Sequence, residues 1–130
     1  MGFIDDELRQ QRHEKVAQEN ELARQQVRDE INAFCNPSYL SQLVKIVKEH
    51  ATASYMSNGR PVERLGIAAH MLPPPGLTTA IIRDQACTDA VFEAIKRTEP
   101  KTVRVELAER ADWENSLYRT LVVEFSPPLS

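Results

Sequence analysis

Glycine and proline are nearly missing from the start of the chain: of four glycines and eight prolines in 130 residues, residues 1–36 hold one glycine and no proline. Nothing there imposes a turn, so Phe3 to Asn36 reads as one unbroken helix. Other absences exclude whole classes of chemistry. The cysteines are two, Cys35 and Cys87, and the histidines three, His13, His50 and His70, with no CxxC, HxxH or HExxH among them. Metal ligand sets usually include a short-range pair, because helix and turn geometry brings i,i+3 and i,i+4 together, so no metal is expected. Four isolated glycines supply neither GxGxxG nor GxxxxGK, and no GxSxG is present. Without a phosphate-cradling loop or a serine elbow, no cofactor and no catalytic residue is expected. No apolar run approaches the roughly 18 residues of a membrane span.

Excess positive charge is also lacking. Sixteen Lys and Arg stand against 19 Asp and Glu, a formal charge of -3. Residues 1–36 carry eight acids and five bases, and the rest is balanced at eleven of each. No basic field exists to attract phosphate backbones, so neither nucleic acid nor a membrane is an expected partner.

What is present fits an ordinary globular domain: 42% of residues are hydrophobic and 27% charged. The length suits one domain with one core. Two cysteines far apart in helical-looking segments predict reduced thiols and a cytoplasmic protein.

The first helix is out of proportion to the rest. At 1.5 Å per residue it spans about 50 Å. The remaining ~95 residues pack into a globule only about 32 Å across. Part of the helix must overhang, so the chain divides into an arm, residues 1–36, and an α+β domain, residues 37–130, within one folding unit. Val16, Ala23, Val27, Ile31 and Phe34 recur at spacings of seven, four, four and three, along one helical face. Leu22 projects to another side. The a/d pattern is not sustained over three heptads, so a strict zipper is not predicted. An irregular helix contact is, formed by Val16, Leu22, Ala23, Val27, Ile31 and Phe34 as interface or base of the arm.

Asn36-Pro37 stops this helix and starts a second, with Leu40, Leu43, Val44, Val47, His50 and Ala51 on its apolar face, ending at Gly59. The two form a helical hairpin. Residues 61–71 favour a short helix on Pro61, Glu63 and His70, with a buried strand over Leu65–Leu72 as the alternative. Pro73-Pro74-Pro75-Gly76 is a stiff connector. Asp84 suits a helix cap ahead of Ala86–Arg97. Val103, Val105 and Leu107 alternate with Arg104 and Glu106, and Leu117, Leu121, Val123 and Phe125 alternate with Tyr118, Thr120, Val122 and Glu124, Arg119 breaking the apolar phase. Together they predict a small antiparallel sheet with at least one hairpin and one helix packed on it. Pro127-Pro128 should end the last strand.

Two further candidates remain. Trp113, the only tryptophan, sits in a charged loop, where it either folds back over the sheet or serves as a contact residue. Cys87 falls in the first turn of a helix, where the macrodipole lowers a thiol pKa, with His70 or His50 as its base and His70 the better pairing. The alternative is that Cys87 is a small apolar filler beside Ala86 and Ala90. The sequence therefore predicts a small homodimeric binding or accessory module acting through protein–protein contacts, the alternatives for the arm being a different protein as its partner or a solvated, frayed tail. The rival reading is a small-molecule-binding domain or small enzyme with a pocket between sheet and helices.

Overall fold

The computed structural model describes residues 3–114 and 116–130. The elements run α1 (Phe3–Phe34), α2 (Pro37–Asn58), β1 (Val62–Ala68), a single 3-10 turn (Ala69–Met71), α3 (Thr79–Arg83), α4 (Gln85–Thr98), β2 (Thr102–Ala111) and β3 (Leu117–Leu129). The fold is α+β, with the two long helices first and a three-stranded antiparallel sheet of order β1-β3-β2.

Local signals set most boundaries. Asn36 is extended (φ -63, ψ 132), as a residue before proline must be, and its side chain accepts from Ser38 N. Gly59 closes α2 in the left-handed region (φ 67), donating its N–H to Tyr55 O at 2.7 Å. Asp84 serves two helices: its N–H bonds Ile81 O at the end of α3, and its carboxylate accepts from Ala86 N and Cys87 N at the start of α4.

The helix expected over residues 61–71 is a strand instead. β1 starts at Val62, earlier than the alternative considered, and gives way to the 3-10 turn at Ala69. Cap-like residues in that stretch favoured a helix locally. Pairing with β3 outweighs them, since Val62, Leu65 and Ile67 are buried in the core. The apolar segment Thr78–Ile82 becomes α3, capped by the Thr78 hydroxyl accepting from Ile81 N.

The C-terminal hairpin forms with Val105 opposite Val123 and Leu107 opposite Leu121. Two details differ from simple alternation. The register shifts between Thr102 and Arg104, so Val103 is left 53% exposed and Thr102 takes the inward place, its hydroxyl donating to Glu99 O at 2.8 Å. Pro127-Pro128 does not end β3, because the β1 register shifts past them and Leu129 pairs with Val62.

α2 packs on β1 and α4 on β2, and the helices touch each other, so both cover one sheet face. Between them lies a core including Phe34, Leu43, Ile67, Ile81, Val91 and Leu121. On the opposite face Glu124 lies 3.9 Å from Arg64 and 3.8 Å from Arg104, an exposed charge ladder across all three strands worth well under 1 kcal/mol per pair.

Candidate functional site

α1 is anchored only at its end. Phe34 is fully buried, with its ring 5.3 Å from that of Tyr39. Ile31 is half-buried against the core, and the Glu30 carboxylate accepts a hydrogen bond from the Thr78 hydroxyl at 3.1 Å. Every residue from Ile4 to Asp29 is exposed. The six arm residues singled out from the sequence therefore separate: Ile31 and Phe34 form the base, while Val16, Leu22, Ala23 and Val27 lie on the open surface. Leu22 is 71% exposed, more than Val16 or Val27. Ile4 and Leu8 are exposed too. At about 100° per residue Ile4, Leu8 and Leu22 fall within roughly 40° of one another, a second stripe beside the first. The signal for Ile4 was an exact five-turn spacing to Leu22, easily passed over across the charged residues between them.

Along the arm Arg28 reaches Glu21 at 3.0 Å and Gln25 donates to Asp29 at 2.9 Å, both exposed pairs. The Gln25–Asp29 pair, four residues apart, contributes about 0.2–0.5 kcal/mol.

Trp113 does not fold back over the sheet; it is 89% exposed. Its turn is closed by Asp112, whose Oδ1 accepts from Glu114 N and Ser116 N, both at 2.9 Å. Leu117 and Tyr118, half or more exposed, follow directly on β3.

His70 is exposed on the 3-10 turn, whereas Cys87 is fully buried with Cys35 Sγ at 3.7 Å. Burial, then the hydrogen bond and charge of Cys35, then the charge of Asp84, push the Cys87 thiol up to about 12. Desolvation thus outweighs the helix N-terminus, and the thiol stays protonated at neutral pH. Among the described residues no group of three or more His, Cys, Asp or Glu could hold a metal ion, and no helix is long and apolar enough to cross a membrane.

A recess of about 420 Å³ opens where the C-terminal halves of α2 and α4 meet the sheet. Its walls are mainly apolar (Val47, Ala51, Tyr55, Met56, Ile95, Phe125), with Lys48, Thr52 and Glu99 among its polar lining. A larger groove of about 680 Å³ runs between the N-terminal part of α2 and the length of α4 and is lined by Asp89, Glu93 and Arg97 as well as apolar side chains. No protein-family model, curated protein or solved structure matches the chain.

Proposed function

We propose that this protein is a cytoplasmic homodimeric binding or accessory module, working through protein–protein contacts of α1. The observation that carries this reading is the exposure of every residue from Ile4 to Asp29 together with apolar side chains along that stretch. Most helical stability in proteins comes from packing an apolar face, and the exposed stretch of α1 packs on nothing else among the described residues. Val16 and Val27 on one side of the helix and Leu22 on another are 43%, 42% and 71% exposed, and covering them in a second copy removes that apolar surface from water, which favours association. Two cysteines left as free thiols support a reducing compartment.

Light scattering on the full chain tests this. The wild type should have twice the chain mass at micromolar concentration, and Leu22→Glu with Val27→Glu should have the single-chain mass with an unchanged thermal midpoint. A wild type that stays monomeric at every concentration would sink the dimer and leave a different protein as the arm's partner.

The second reading, a small-molecule site between sheet and helices, draws support from the recess at Ala51, Tyr55 and Ile95. Its size and apolar lining suit a small hydrophobic ligand. An environment-sensitive apolar dye should bind the wild type and be displaced by Ala51→Trp, which fills the recess. Equal dye binding by both proteins would remove this reading.

A further inference from the structure

Two thiols 52 residues apart in the chain meet at the root of the arm, with Cys35 Sγ 3.7 Å from Cys87 Sγ. Cys35 follows the last residue of α1, and its N–H bonds Ile31 O at 2.9 Å. Cys87 stands in the first turn of α4, its N–H bonded to the Asp84 carboxylate at 3.3 Å. Both sulfurs are thus carried on hydrogen-bonded helix ends. A buried cysteine alone is commonly a small apolar filler, which would account for Cys87. It does not account for a second cysteine on a different element, half open to solvent, with its sulfur against the first.

We propose that Cys35 and Cys87 are a dithiol site for small disulfide oxidants of the oxidised-glutathione class, closing to an intramolecular disulfide that ties the root of the arm to α4. Cys35, the less buried of the two residues, loses its proton and attacks one sulfur of the oxidant. The oxidant's S–S bond breaks, and one small thiol leaves carrying that proton. Cys87 then attacks Cys35 Sγ, the mixed disulfide breaks, and the second small thiol leaves with the proton from Cys87. In sum two protein thiols are oxidised and one small disulfide is reduced to two thiols. The sulfurs must close from 3.7 Å to about 2.05 Å. The second step is the slow one, because the buried Cys87 holds its proton firmly; loss of the free Cys35 thiol in the first step removes part of the cause.

The test uses the full chain and does not depend on its oligomeric state. Reduced protein is exposed to oxidised glutathione in mildly alkaline buffer, quenched with acid, and read by intact mass and peptide mapping. The expected result is loss of both titratable thiols, an intact mass lower by two hydrogens, and a peptide pair joining Cys35 to Cys87. Hydrogen exchange at the amides around Cys35 should slow in the bridged form, and Cys35→Ser should gain no adduct while folded. A glutathione adduct that accumulates on Cys35 with Cys87 free would overturn the proposal. So would a cross-link between copies through Cys35, or two thiols that survive the oxidant.

Discussion

At Cys87 and Tyr39 the core holds protons that the unfolded chain would release. The Cys87 thiol rises from 9.0 to about 12, chiefly by burial, and Tyr39 is also raised, burial outweighing its hydrogen bond with Gly76 N. For an acid whose folded pKa lies above its unfolded one, the folded state binds more protons in between. Its stabilisation is complete below the unfolded value and drains away as pH rises towards the folded one. Denaturant midpoints should therefore hold up to about pH 9.0 and fall as pH climbs towards about 12, with Cys87→Ala showing a shallower decline. An equal slope in both proteins would mean that the thiol is not held this way. Asp84 allows a second check. Because its carboxylate accepts from Ala86 N at 2.8 Å and Cys87 N at 3.3 Å, Asp84→Ala should cost about 1 kcal/mol in urea unfolding and Asp84→Asn much less.

Elements whose limits are set by neighbouring residues could be read directly from the sequence. Asn36 and Pro37 mark the joint, Gly59 the end of α2 and Asp84 the start of α4, and each acts within a few residues of itself. β1 could not be read in this way. Nothing near Val62–Ala68 shows that β3 waits on its flank, and the local residues argued for a helix until that distant pairing decided the matter. The bulge that turns Val103 outward was hidden for the same reason, since it exists only relative to β3. Two glycines separate the local effect from the distant one. At Gly59 φ is +67, so Gly59→Ala forces a side chain into the left-handed region and should cost about 1 kcal/mol. Gly66 has no positive φ, and a Cβ there would meet Thr120 Cγ2 at 3.5 Å, an ordinary contact. Gly66→Ala should therefore stabilise the strand by about 0.5 kcal/mol through the unfolded state. A loss at Gly66 as large as that at Gly59 would argue against β1 as the conformation of this stretch.

On the scale of the whole molecule, the arm was legible from length alone, because a helix of about 50 Å cannot fit within a globule of about 32 Å. The recess at Ala51, Tyr55 and Phe125 was not, since its walls come from α2, α4 and one end of the sheet, where β1 and β3 pair. Nor was the meeting of Cys35 with Cys87, which depends on how α1 and α4 dock on the same core. The same division governs stability. Residues 4–29 are all exposed and stand outside the core, so removing them should leave the thermal midpoint of the domain within about 2 °C of the full chain, surface changes being nearly neutral. Limited trypsin digestion then separates a paired arm from a free one. Arg9, Arg12, Lys15 and Arg24 all lie on exposed turns of α1, whereas Ile31 and Phe34 fix the helix to the core. A lone, marginal helix opens often, and its cleavage rate per molecule does not depend on protein concentration. An arm that pairs with a second copy is protected by mass action, so the rate per molecule should fall as the protein is concentrated through the dimer's dissociation constant. The resistant product from cleavage after Arg24 should begin at Gln25 and retain the domain's midpoint. Leu22→Glu with Val27→Glu should be cut at the fast rate at every concentration. If the wild type behaves the same way, the arm has no partner in its own kind, and its apolar stripe belongs to another protein.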